Sequence, residues 1–228
     1  MVESFTKKGV FLMMVTVLIL TTFLMSVGNV NASKEVLKSE SKNGYTIDTL
    51  ASEKELELLR FTNEETGEVE YLKSEMVDGE VVRTSNTDDG EHTITEENGR
   101  VLVDGEVVFT ESQEIENSAS DFQAMNMLLL TTREGSASGL GTDVSLAAGI
   151  LASVAFMDVN KYVAVGAGVA TALATAALSR GMNEVWYTNS VYHDSSDNCS
   201  QEETSVIYGD PGRTMYLETE FHSYNICN

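Results

Sequence analysis

The side chains with chemistry to offer are few and scattered. His92, His193 and His222 lack partners at any spacing that recurs in catalytic motifs, and the chain holds no H-E-x-x-H, G-x-S-x-G or P-loop pattern. Cys199 and Cys227 are the only cysteines, and both fall in the last 30 residues. In an oxidising compartment they are expected to pair, a cross-link worth about 3–4 kcal/mol in the chain-entropy description. Their alternative use, a zinc site with His193 and His222, matches no compact ligand spacing. Oxidised together, they are also lost as nucleophiles. Asp89, Gly90 and Glu96 stand at calcium-loop spacing, but Ser85 and Thr87 replace two of the required ligands. Hairpin turn chemistry accounts for that stretch better. With 36 acidic side chains against 14 basic ones, paired carboxylates carry no information. These residues predict no enzyme, no metal and no cofactor.

The same charge balance, a net −22 over 228 residues, restricts partners. Binding nucleic acid or an anionic membrane through a basic patch needs clustered Lys and Arg, and no such cluster exists. At 42 % hydrophobic residues and a single proline, Pro211, the chain is too apolar for wholesale disorder.

The positioning elements begin with an export signal. Lys7 and Lys8 precede an apolar run, Val10–Val27, and then Val30-Asn31-Ala32. That order predicts a cleaved secretory signal ending at Ala32, with Ser33 as the first mature residue. An uncleaved anchor is the alternative, since the run is just long enough to span a bilayer. The expected location is extracellular.

Charge then divides the mature chain. Residues 33–126 carry 24 acids and 8 bases, residues 127–182 three of each, and residues 183–228 eight acids and one base. In the first region Ser52-Glu53-Lys54-Glu55 has a capping-box pattern ahead of Leu56, Leu58, Leu59 and Phe61, which predicts a short helix. Turn dipeptides at Asp78-Gly79, Asp89-Gly90, Asn98-Gly99 and Asp104-Gly105 separate short β-branched runs and predict hairpins. Ser120 is placed to cap a helix through Leu130. Gly135-Ser136-Ala137-Ser138-Gly139 and Gly141 then have linker composition. Arg133, just before them, marks either an ordinary loop or a protease site.

The central segment is nearly charge-free. Val144–Met157 and Tyr162–Leu178 are separated by Asp158-Val159-Asn160-Lys161 and predict two helices joined by a charged turn. Ala164, Gly168, Ala172 and Ala176 form a small-residue stripe that lets helix backbones approach closely or self-associate. A helix apolar on all sides is buried in protein or in lipid. The pair is therefore either the core of a soluble domain or a stored segment that later inserts into a membrane. Seven aromatics in residues 183–228 suggest a small strand-rich module, with a turn at Gly209-Asp210-Pro211-Gly212.

The expected architecture is α+β. It consists of a signal (1–32), an acidic antiparallel β-meander (33–117), a short helix with a Gly/Ser linker (118–142), an Ala/Gly-rich helical hairpin (143–182) and a disulfide-closed, aromatic-rich antiparallel β module (183–228). This layout, with Arg60-Phe61-Thr62-Asn63-Glu64-Glu65-Thr66-Gly67-Glu68-Val69-Glu70-Tyr71 in the acidic region and Glu184-Val185-Trp186-Tyr187 after the hydrophobic one, resembles the large unmodified secreted bacteriocins of Bacillus-related Gram-positive bacteria, the high-molecular-weight geobacillin type. The resemblance implies a ribosomally made protein that inhibits or kills related Gram-positive bacteria; the expected partner is the target membrane or a surface receptor. It supplies no active-site residues. The expected action is membrane perturbation by the helical pair. The alternatives are a non-toxic secreted binding or surface protein with that pair as core, or an immunity or accessory protein kept at the producing cell.

Overall fold

Positive backbone φ angles set the first half of the molecule. In the computed structural model, which describes residues 35–53, 56–110, 127–155, 157, 167–196 and 199–225, Asp78-Gly79, Asn98-Gly99 and Asp104-Gly105 each place both residues at positive φ. Asn43-Gly44 does the same. These are two-residue primed turns, whose twist matches that of the strands they join. They help fold β1 (Lys38–Lys42), β2 (Tyr45–Glu53), β3 (Leu56–Asn63), β4 (Val69–Val77), β5 (Glu80–Thr87), β6 (Gly90–Glu97), β7 (Arg100–Val103) and β8 (Glu106–Thr110) into one antiparallel sheet in sequence order. The β5–β6 turn is Asp88-Asp89, one residue earlier than the Asp-Gly signal suggests, with Gly90 opening β6.

A second sheet has the order β12-β11-β10-β9, from β9 (Met127–Ser138), β10 (Glu184–Asp194), β11 (Ser200–Tyr208) and β12 (Tyr216–Asn225). Two helices, α1 (Val144–Ala155) and α2 (Ala167–Leu178), lie in the chain between β9 and β10 and pack on each other. Each has 12 residues, giving about 18 Å of helix against a hydrocarbon core of about 30 Å. Among the described residues no helix is long and apolar enough to cross a membrane.

The expected α+β architecture is thus corrected: the described residues are mostly β, with twelve strands in two antiparallel sheets and two short helices among them. Of the segment expected as helix, Ser52 and Glu53 end β2 and residues 56–61 belong to β3. Leu58 joins Leu50 and Ala51 in a small cluster, while Leu59 and Phe61 enter the main core, an alternation that sheet pairing imposes over the local capping signal. Residues 127–138, expected as helix end and linker, are β9, and Arg133 sits within that strand opposite Asn189. Gly135 serves packing rather than flexibility, because an ideal Cβ there would fall 2.5 Å from Tyr187 Oη. The aromatic C-terminal strands are not a separate module, since Val185, Tyr187 and Ile207 share one core with the first sheet and both helices. Cys199 is the only described cysteine, and it is disulfide-bonded rather than a free thiol. The signal segment with Ala32 and Ser33, the capping Ser120, Ala164 and Cys227 all lie outside them.

The sheets meet at both margins. Ser138 Oγ donates to Val108 O at 2.8 Å, linking β9 to β8. Lys42, closing β1, forms ion pairs with Glu218 and Glu220 of β12, the latter at 3.0 Å. The chain thereby wraps its own helices.

Candidate functional site

The helical pair and its fastenings are the part of the molecule with unusual chemistry. Every residue of α1 from Val144 to Val154 is buried, as is every residue of α2 from Ala170 to Ala177. In α2 this includes Ala172 and Ala176 of the small-residue stripe, together with Thr171 and Thr175. Gly168 lies within α2, near its start.

A second four-residue spacing, Ser145, Gly149 and Ser153, does the docking on α1. Ser145 Oγ is 2.7 Å from Ser85 Oγ of β5, and Ser145 N–H donates to Glu70 Oε2 of β4 at 2.7 Å. A carboxylate at a helix N-terminus satisfies a free N–H and complements the helix dipole. At Gly149 an ideal Cβ would meet Ile94 Cδ1 at 2.3 Å and Leu72 Cδ1 at 3.2 Å, so the helix backbone rests directly on the sheet. Ser153 Oγ accepts from Arg83 Nη1 at 2.6 Å, and the same nitrogen donates to Glu96 Oε1 at 3.1 Å. From the second sheet, Asn189 Nδ2 donates to Ala155 O at 2.9 Å and also bonds Glu203.

Arg83 is only 2 % exposed, and Glu57 only 5 %. Glu57 pairs across to Ser74, and Ser74 to Arg83, which puts the three on one inward row of β3, β4 and β5. Glu57 Oε2, Ser74 Oγ and Arg83 Nε are buried without hydrogen-bond partners among the described residues. Burial pushes the Glu57 carboxyl up to about 8, with the Arg83 charge acting against it. Burial likewise raises Glu96 against the pull of Arg83, and raises Glu70 against its bond from Ser145. Asp143, just before α1, is raised by burial and by Asp89 and Asp88, with His92 opposing. Burial lowers Arg83, and Glu96 supports its charge. Each of these four carboxyls around α1 is disfavoured in its ionised form.

The entrance and exit of the helices are joined. Gly141 N–H donates to Asn183 Oδ1 at 2.8 Å, and Leu140 N–H to Asn183 O at 3.3 Å. Gly139, Gly141 and Gly181 are at positive φ, and Gly181 ends α2 with Met182 N–H bonding Ala177 O and its own N–H bonding Leu178 O. This pair of bonds is a Schellman stop. Immediately outside, Glu184 pairs with Ser138 in the β9–β10 ladder. Segment 139–183 is therefore an excursion from the base of a β-hairpin.

The structure keeps the candidate chemical residues apart. His92 Nδ1 lies 2.8 Å from Asp104 Oδ2 on β6, while His193 is on β10 opposite Gln201 and His222 is on β12 opposite Glu203. Among the described residues no group of three His, Cys, Asp or Glu could hold a metal ion. Asp89 is a turn residue, and Glu96 is committed to Arg83. The docking set was missed in the sequence, although Ser145-x3-Gly149-x3-Ser153 has the same period as the stripe noted on α2. Comparisons with family models, curated proteins and solved structures found no match.

Proposed function

We propose that this is a secreted antibacterial protein of the bacteriocin type, in which the β sheets store an apolar helical pair that perturbs the membrane of related Gram-positive cells. One observation carries this proposal. The pair enters and leaves the sheets at neighbouring points, held by Asn183 and flanked by glycines at positive φ. Segment 139–183 could swing out without unpairing β9 from β10. Its helices, apolar around their circumference, would then need another apolar solvent, which lipid supplies. Short, Ala-rich helices favour insertion as a packed pair, with the Ala172 and Ala176 face between them. The acidic strands keep the stored form in solution.

The test is a reversible lock. Ser85 and Ser145 already place their Oγ atoms 2.7 Å apart, so cysteines at both positions would tether α1 to β5. Purified residues 33–228 should depolarise sensitive cells. The oxidised S85C/S145C protein should not, and reduction should restore activity, with the wild-type chain under the same reductant as control. An oxidised variant that depolarises as well as wild type would overturn the storage mechanism.

A second function has one observation in its favour. Trp186, Tyr208 and Tyr216 are cross-strand neighbours on the outer face of the second sheet, and Tyr216 is 60 % exposed. Such a row suits a secreted binding protein whose helices are simply core. Failure of the wild-type chain to act on any membrane would favour it.

A further inference from the structure

One buried guanidinium serves two carboxyls. Arg83 bonds Glu96 and Ser153, and Glu57 stands two strands away on the same inward row, with Ser74 between them and its hydroxyl bonded to neither. With Glu57 protonated, the cluster holds one positive and one negative charge. With Glu57 ionised it holds a net negative charge in a site that water barely reaches. A net buried charge is far more costly than a neutral pair, and the structure relieves it by opening. The group that the extra carboxylate draws on is also the group that grips α1.

We propose that Glu57, Arg83 and Glu96 form a proton-operated latch on α1, closed while Glu57 keeps its proton and opened by alkalinity. Ionised Glu57 competes for Arg83, which leaves Ser153, and the C-terminal end of α1 detaches first. Neither α1 nor α2 has a titratable side chain to compensate. The other charged groups facing α1 are distributed at its two ends. Glu70 of β4, with Asp143, Asp88, Asp89 and His92, surrounds the N-terminal end. From the second sheet, Arg133 of β9 and Glu203 of β11 flank Asn189 at the other end. β7 contributes Val101 to the core.

The latch takes its biological meaning from the storage function proposed above, but its test needs neither membrane nor target cell. Backbone hydrogen exchange of residues 144–155 would be followed from pH 6.5 to 9 in purified residues 33–228. Rates are referred to unstructured peptides, and β10 amides serve as internal reference. A single proton with a folded-state value of about 8 and an opened-state value near 4.5 makes the opening constant rise about thirtyfold between pH 6.5 and 9, then level off. Glu57→Gln should reduce that rise to less than about threefold. Glu96→Gln should flatten it as well, because Glu57 then becomes the sole carboxylate partner of Arg83. Should E57Q not fold, wild type and E96Q decide the matter. A wild-type opening constant that ignores pH, or an E96Q rise equal to wild type, would overturn the latch. Either result would leave the antibacterial function to be judged by depolarisation alone.

Discussion

Arg83 Nη1 donates to Ser153 Oγ at 2.6 Å, joining β5 to α1 across 70 residues of sequence. The contact is almost wholly removed from solvent, and it holds the C-terminal end of α1 as Glu70 holds its N-terminal end at Ser145 N–H. Its removal should therefore be felt across the core.

Arg83→Met leaves Glu96 without its cation and Ser153 without its donor. We expect a loss of about 3–5 kcal/mol, the usual effect of breaking one half of a buried pair. The double variant R83M/E96Q should lose distinctly less than the sum of the two single changes. Urea unfolding midpoints at constant slope measure both.

Gly149→Ala sets two effects against each other. Alanine favours helix by about 1 kcal/mol, but its methyl group overlaps Ile94 Cδ1, and overpacking of a full core costs about 1–3 kcal/mol. G149A is expected to be neutral to destabilising alone. In an Ile94→Val background, which deletes Cδ1, the same change should become stabilising. A change of sign in the double-mutant cycle is the diagnostic result.

Asn183→Ala removes the acceptor for Gly141 N–H at the base of the helical excursion. Stability should fall by about 1 kcal/mol. Dye release from vesicles should rise at the same time, because the excursion is freer to leave. A variant less stable and no more active would count against release from that hinge.

Gly168→Leu places a large side chain on the stripe that also contains Ala172 and Ala176. Secretion should persist and killing titre should fall, as close helix approach in lipid needs small residues. Full killing by a folded G168L protein would remove the helix-pair mechanism.

Stability should peak on the acid side of neutrality. Between its unfolded value of 4.5 and its folded value of about 8, Glu57 binds a proton in the folded chain and releases it on unfolding, so stability falls as pH rises through that window. Glu70, Glu96 and Asp143, also raised, act in the same direction. Asp104 and Asp48 act oppositely. The Thr93 N–H and His92 hold Asp104 below 3.8, and bonds from Ser39 and Arg60 outweigh burial at Asp48. Their stabilisation is present above 3.8 and is lost as pH falls through the folded values. Thermal unfolding should therefore give its highest midpoint between about pH 4 and pH 6.

Local chemistry was legible and long-range chemistry was not. Asp78-Gly79, Asn98-Gly99 and Asp104-Gly105 announce hairpins because positive φ is a property of two residues, and the apolar runs in 144–178 announce helices because composition alone demands burial. Met127–Ser138 could not be recognised as a strand, since what makes Gly135 a packing residue is Tyr187, which is 52 positions later. The latch is the clearest case. Nothing in a chain with 36 acidic residues marks Glu57 and Glu96 as the two that face Arg83; that choice is made only when β3, β4, β5 and β6 come into register under α1. Turn type and apolarity are set within a few residues of chain. Desolvation of a charge depends on every element that packs around it, and so it belongs to the tertiary structure alone.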